Sequence, residues 1–366
     1  MSKITELENK IRELADAYYS GNELVSDEAY DALIEELRVL DPENELIAGL
    51  AGDEKDTNSA GYVKMRHNLT TGTLSKAMTL ETFEKWIKSH KGPYHCSSKM
   101  DGAGCELQYE NGRLVHLISR GNGYTGFDKL PLAKYLNIPS ELSKPFTGSI
   151  RGEFELSNKG FKSHAIFTDK KNPRNAGSGL LNLKVDDIKT EEISAMKDIH
   201  FFAYDILTKD ETFQRKSEIF EYLTNLGFEV PVNTVALSYD DIVQFREKLS
   251  KERGTESEQF AIDGIVVFED VYDIEDQKEK IQKRAIAVKF DLMVSEGTIL
   301  DIEWSISGSY LTPVAIMTPM QLNGTTVTRA NLCNLSIINK LGVKIGDRIR
   351  VCKRGEIIPQ ILCKVS

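Results

Sequence analysis

The stretch "HCSSKMDGAGCELQYENG" (His95–Gly112) decides how the chain is read. It sets one lysine, Lys99, two residues before one aspartate, Asp101, among small side chains and just ahead of a run with strand character. If the run is extended, alternation places both side chains on one face. An amine beside a carboxylate is either an ion pair at a strand end or a nucleophile with its partner. A nucleophilic amine must be neutral, and at a pKa near 10.4 only about one in a few thousand is neutral at pH 7. Nearby cations, a metal or desolvation lower that pKa. Lys-x-Asp-Gly recurs by chance, so alone it fits both readings.

Other charged residues keep it company. "SRGNG" (119–123) presents Arg120 among glycines, as suits a cation near phosphates. Gly121, Gly123 and Gly126 spell a literal GxGxxG, but Pro131 stands where a helix should run and no βαβ unit surrounds it, so a Rossmann site is excluded. "IRGEFE" puts Arg151 and Glu153 on one strand face. "AIDGIVVF" sets Asp263 before a buried-looking run. "RAIAVKF" places Lys289 on the face of Ala285 and Ala287, whose small side chains leave room for a ligand. Each is also readable as an ordinary ion pair.

The 366 residues suffice for two or three domains, and 40% hydrophobic with 28% charged residues is a globular composition. No run of 18 apolar residues occurs, so no membrane span is expected, and "MSKITELENKIREL" is not a signal peptide. Five cysteines without a CxxC pair argue against a zinc knuckle and a disulfide framework, and fit a reducing cytoplasm. The net charge of −10 is uneven: residues 1–90 carry 18 acidic against 10 basic side chains, whereas 297–366 carry 8 basic against 4 acidic. The C-terminal part is therefore a candidate phosphate-binding surface or simply a solvated basic face.

Along the chain, Ile4, Leu7, Ile11, Leu14 and Tyr18 step at helical spacing. A second helix starts at the N-cap Ser26 and carries Tyr30, Leu33, Ile34, Leu37 and Leu40 until Pro42. From Cys96 the period shifts towards two. "CELQYE", "RLVHLIS", "SIRGEFEL", "IHFFAYDIL" and "DGIVVFED" read as strands, with "SEIFEYLTNLG" and "YDDIVQFREKLS" as helices between them. From about 297 short strands are expected to dominate and to close a small barrel.

In this order, the lysine of KxDG, the arginine of a glycine turn, RGE, DG-I-V-V and a lysine before phenylalanine resemble the nucleotidyltransferase domain of polynucleotide ligases, and in detail the NAD-dependent DNA ligases. "NPRNAGSG" (172–179), "FFAYD" (201–205), "AYYSGNELVSDEAYDALIEEL" and "IGDRIRVCKRGEIIPQI" are similar to segments of that family. The resemblance implies an α+β protein. It would have a helical nicotinamide-nucleotide-binding subdomain (1–69), an ATP-grasp-like nucleotidyltransferase domain with antiparallel-rich sheets (70–291) and a C-terminal OB-fold β-barrel (297–366). It implies that Lys99 attacks the α-phosphate of NAD, expels nicotinamide mononucleotide and passes AMP to a 5′-phosphate at a nick in duplex DNA, where the 3′-hydroxyl releases it. Asp101 would share in the catalysis. Arg120 would bind near the ribose or phosphate, Glu153 the ribose and Lys289 the α-phosphate. Tyr204 would stack on adenine, with Ser75 and Asp263 also at the adenylate. Tyr18, Tyr19, Asp27, Tyr30 and Asp31 would bind the nicotinamide nucleotide. Arg174, Arg329, Arg348, Arg350, Lys353 and Arg354 would face DNA. Mg²⁺ and no zinc, a monomer, and a bacterial or phage-encoded cytoplasmic protein without membrane contact complete the expectation.

The sequence also departs from the family. Ser97 stands where the family has a glutamate, Phe268 where it has a lysine, Asn182 where it has an arginine and Asn122 where it has an aspartate, and "SISGS" (305–309) replaces an OB signature with an arginine. Two other readings therefore stay open: an NAD-dependent adenylyltransferase acting on RNA ends, and a catalytically degenerate module that binds nicks or nucleotides.

Overall fold

Strands buried on both faces build a five-stranded and a four-stranded sheet in the first part of the chain, beside a small two-stranded one, and a barrel forms in the second. The computed structural model describes residues 3–19, 33, 34, 36, 37, 40, 41, 44, 57, 58, 60–70, 72–170, 172–279, 281–291, 294–307, 310–322, 325–354 and 358–365. Internal contacts divide the chain into two units, Met1–Phe290 and Asp291–Ser366.

In the first unit the helix Lys3–Tyr19 buries Leu7 and Ile11 against Leu37, with Ile4, Leu33 and Ile34 packed around them. The three-and-four stripe predicts this pairing. A five-stranded sheet follows, in the order β2 (Thr73–Ala77), β11 (Ile281–Lys289), β10 (Ile262–Glu269), β3 (Tyr94–Met100) and β9 (Asn233–Ala236). All its pairings are antiparallel except β2 with β11. The helices Leu80–Ser89 and Tyr239–Glu252 cover one face, burying Phe83, Ile242 and Leu249 on Cys96, Ile265, Val267, Ile286 and Val288.

The second sheet is antiparallel throughout, ordered β5 (Arg113–Ser119), β4 (Ala103–Glu110), β7 (Gly148–Leu156) and β8 (Ile199–Thr208). β4 and β5 meet through Asn111-Gly112, both at positive φ, as a two-residue hairpin turn requires. Its core joins Leu107, Ile150, Ile206 and Phe154 to Ile219 and Leu223 of the helix Lys216–Asn225. Gly121 and Gly123 lie in the turn to the short β6 (Thr125–Phe127), which contains Gly126 and pairs antiparallel with β1 (Lys64–Arg66). A 3₁₀ helix follows at Leu130–Tyr135, and no parallel crossover forms.

The second unit is a closed barrel ordered β12 (Val294–Ser307), β13 (Tyr310–Leu322), β14 (Thr325–Asn331), β16 (Ile358–Lys364) and β15 (Arg348–Arg354). The expectation of short strands is corrected here, because β12 has 14 residues and β13 has 13. One end of β12 pairs with β15 and the other with β13, and register shifts at Ile299/Asp301 and Ile316/Met320 bend the strands. Closing a barrel with five strands needs this bending.

Candidate active site

The site lies on the face of the five-stranded sheet turned away from the helices Leu80–Ser89 and Tyr239–Glu252. Tyr94 and Cys96 of β3 enter the helix-covered core, so His95, Ser97 and Lys99 face the other way. Across the ladder Lys99 pairs with Gly264 and Gly264 with Lys289, which sets the two amines on either side of a residue without a side chain. The β3–β10 register slips between Ile262 and Gly264, a bulge that turns Asp263 towards the lysines. Asp263 Oδ2 accepts from Lys99 Nζ at 3.2 Å and from Lys289 Nζ. Its Oδ1 is buried with no hydrogen-bond partner among the described residues.

These charges set one another's state. Burial alone would lower the Lys99 pKa, but Asp263, Asp101 and Glu153 outweigh it and hold the amine above its ordinary value. Burial would raise Asp263, yet the two lysines hold it below the ordinary carboxylate range. The neutralising shift that a nucleophilic lysine requires is therefore absent from this arrangement of side chains.

Asp101 is not the direct partner of Lys99. It follows the end of β3, accepts from Arg174 Nη1 at 2.8 Å, and its backbone N–H donates to Glu155. Gly102 explains the glycine of KxDG, because a Cβ there would lie 2.0 Å from the Phe154 carbonyl oxygen. The "NPRN" segment also has a physical reason. The Asn172 side chain caps the helix Pro173–Leu181 by accepting from Asn175 N, proline takes the first turn, and Arg174 reaches Asp101. The structure thus ties Arg174, expected at the DNA backbone, into the lysine pocket.

β7 supplies the opposite wall. Glu153 is pushed up by burial, against Lys99, Arg174 and Arg120. Glu155, which the sequence reading missed, is buried with one oxygen unpartnered and is pushed well above the carboxylate range, first by burial and then by Asp101 and Glu153. The charged residues at 151, 153 and 155 carried that signal as a period of two. Arg120 follows β5 and donates to Thr73 Oγ1 at 3.2 Å. Its carbonyl lies 3.1 Å from His67 Nε2, and His67 is held by the buried Glu106. Tyr204 is the extra residue of a bulge, since Arg151 pairs with Asp205 and Gly152 with Ala203. Burial raises its hydroxyl pKa and Glu153 adds to the shift.

Among the described residues of the first unit, Ser75 is not gathered in. Ser75 is exposed and pairs with Ile286, on the helix-covered face opposite Lys99; β2 offers Lys76 to the Lys99 side. Tyr18 and Tyr19 end the first helix with side chains outside the described set, and Asp27, Tyr30 and Asp31 lie outside the described residues. In the barrel Arg348 and Arg350 both pair with Glu296, at 2.8 and 3.0 Å, and Arg329 pairs with Glu303 at 2.5 Å. The side chains of Lys353 and Arg354 lie outside the described set.

Several departures from the family pattern have local explanations. Asn122 Oδ1 accepts from Tyr124 N and Thr125 N, so it builds the glycine turn. Asn182 Oδ1 accepts from Lys129 Nζ at 3.0 Å, and burial pushes that amine down to about 7. Phe268 forms a small apolar patch with Val266, Ala285 and Leu74 on the Lys99 side of the sheet.

Two amines thus share one carboxylate, with an arginine-bound aspartate and a buried glutamate close by. Residues 59–292 match the adenylation domain of NAD-dependent DNA ligases, and residues 296–366 match the OB-fold domain of the same enzymes. The chain belongs to the NAD-dependent DNA ligase family. It is 35% identical over 378 residues to a DNA ligase of Treponema denticola, covering 98% of this chain and 56% of that protein. It is 33% identical over 382 residues to one of Treponema pallidum, covering 100% and 45%. A DNA ligase of Leptospira interrogans is 32% identical, with 98% and 54% covered. The chain therefore spans about half the length of the curated ligases it matches. Among the described residues no helix is long and apolar enough to cross a membrane, and no cluster of His, Cys, Asp or Glu is placed to hold a metal ion.

Proposed function

We propose that this ligase-family chain takes an adenylyl group from NAD onto Lys99 and delivers it to the 5′-phosphate of a nick in duplex DNA. The observation that carries this reading is the convergence of Lys99 and Lys289 on Asp263 Oδ2, with Arg174, Asp101 and Glu153 closing the pocket. Lys99 Nζ bonds to the α-phosphorus, the pyrophosphate P–O bond breaks, and nicotinamide mononucleotide leaves. The nick's 5′-phosphate then takes AMP from the amine, and the 3′-hydroxyl displaces it to close the backbone.

In the resting site Lys99 carries a proton, and Asp263 Oδ2 at 3.2 Å is its hydrogen-bond acceptor. Lys289 stays beside the same oxygen and supports the charge of the incoming phosphate. Arg120 and Glu153 flank Gly104, whose Cβ position lies 3.7 Å from Arg120 Cβ and 3.5 Å from Glu153 Oε2, and they serve the phosphate and ribose. Tyr204 and the Val266–Phe268–Ala285 patch serve the adenine. Mg²⁺ fits this donor set as an ion carried with the substrate's phosphates, since it binds through one or two carboxylates and keeps its waters. When bound it supplies charge neutralisation at the phosphates. Residues 1–69 we assign to the nicotinamide side, with Tyr18, Tyr19, Asp27, Tyr30 and Asp31 as contacts; 70–291 to adenylation; and 297–366 to DNA. A cytoplasmic monomer is the form proposed.

The test is intact-mass spectrometry of the purified protein incubated with Mg²⁺ and either NAD or ATP. One adenylyl group is expected with NAD and none after Lys99→Ala. An unmodified wild-type mass with both nucleotides would leave the degenerate binding module as the better reading. An adduct never passed to nicked DNA but passed to RNA ends would shift the acceptor.

A further inference from the structure

Four residues before Lys99 along β3, about 13 Å away at the usual rise, the same sheet face ends in a buried polar cap. His95 packs on Phe220 of the helix Lys216–Asn225, with ring centroids 4.2 Å apart. Lys216, the first residue of that helix, is 1% exposed. Its ammonium lies 4.7 Å from the centroid of the Phe268 ring and 2.9 Å from Asp205 Oδ1, without an aligned hydrogen bond to any group. Asp205 is already engaged, since Oδ2 accepts from Arg151 Nη2 at 3.2 Å and Oδ1 from the Ile206 backbone N–H. His95 Nδ1 and Arg151 Nε are also buried without partners.

A lysine has three N–H donors, and a buried charge with an imperfect partner is costly. Lys216 offsets the charge of the buried Asp205, and that one pairing leaves further donors of its ammonium open. The ammonium lies beside Phe268, which forms an apolar patch with Val266, Ala285 and Leu74 on the Lys99 side of the sheet. Tyr204, next to Asp205 in the chain, is held by the bulge in the facing β8. A planar group lying on the patch, tethered by phosphate at Lys99, presents its far edge to Lys216.

We propose that Lys216 is a specificity-determining residue that donates a hydrogen bond to a ring-nitrogen acceptor on the nucleobase of the adenylyl donor. The assignment rests on the proposed NAD-dependent adenylation and names which protein group reads the base. It also gives Phe268 a role, because the cation absent from β10 at that position is supplied from the helix across the ring.

The experiment measures single-turnover formation of the Lys99 adduct with NAD and with nicotinamide hypoxanthine dinucleotide, in which that ring nitrogen is a donor. Wild type should favour NAD by at least about tenfold, the low end of what a hydrogen bond to a charged group contributes. Equal use of both dinucleotides by the wild type overturns the proposal even if every variant misfolds. Lys216→Met should raise the half-saturating NAD concentration about tenfold or more, leave the maximal rate within a few-fold and erase the preference. Adding Phe268→Lys to Lys216→Met should restore most of the lost affinity. Unchanged NAD affinity and preference in a folded Lys216→Met protein overturns the proposal. No adduct in the wild type with either dinucleotide is a failure of the underlying adenylation reading instead.

Discussion

The lysine pocket and the barrel surface use the same side-chain chemistry to different ends. Around Asp263, Lys99 and Lys289 are 24% and 18% exposed, and their partner is 16% exposed. On the barrel, Arg348, Arg350 and Arg329 are 54–67% exposed, and their glutamates 35–53%. Exposed pairs contribute about 0–1 kcal/mol and weaken with salt. Partly buried ones shift pKa values and resist screening. The Lys99–Asp263–Lys289 group therefore suits the proton and phosphate handling proposed for it, whereas the barrel arginines can exchange Glu296 and Glu303 for another anion at little cost.

The sharpest way to break this contrast is to remove the carboxylate that both lysines share. Asp263→Ala should lower the adenylation rate by about 10²–10⁴, the range for a positioned acid–base group, measured as single-turnover adduct formation. A rate within threefold of wild type would deny the pocket its centre. Arg174→Ala should slow the same step by about ten- to a hundredfold by releasing Asp101, and Arg174→Lys should recover part of it. An effect confined to DNA sealing would return Arg174 to the nucleic-acid surface.

A third measurement uses the direction of the Lys99 shift. Only the neutral amine attacks, and its pKa lies above the ordinary value. The neutral fraction then grows about tenfold per pH unit well below the pKa, so the logarithm of the adenylation rate should climb with unit slope from pH 6 to 8. A flat profile would mean that the bound substrate has already removed the proton. The smallest effect belongs to the barrel. Arg348→Ala with Arg350→Ala should leave self-adenylation unchanged and weaken nick binding several-fold, with a shallower salt dependence than wild type. Equal loss in both assays would show that these arginines support the fold.

Much of this was legible in the sequence where the residue pattern is local. The period-two runs gave β4, β5, β7, β8 and β10 their places. Lys99, Glu153, Asp263 and Lys289 stand out in the sequence because each sits in a short pattern beside glycine or small residues, and the structure sets their charges close together. What the sequence concealed depends on register. A one-residue slip in β10 turns Asp263 to Lys99 and leaves Asp101 to Arg174, and no local signal marks that slip. Ser75 has the right neighbours in sequence but pairs with Ile286 on the other face. Lys216 starts a helix in a polar stretch of sequence, and its packing against Asp205 and Phe268, distant in the chain, leaves it buried. The long strands of the barrel were read as short because bulges interrupt their alternation.

Lys99, held against Asp263 beside Lys289, is the group proposed to form the bond to phosphorus. Peptide mapping by mass spectrometry after incubation with NAD and Mg²⁺ tests this. One acid-labile adenylyl group is expected on the peptide containing Lys99 and none on that containing Lys289. An adduct on any other residue, or one formed from ATP but not from NAD, would contradict it.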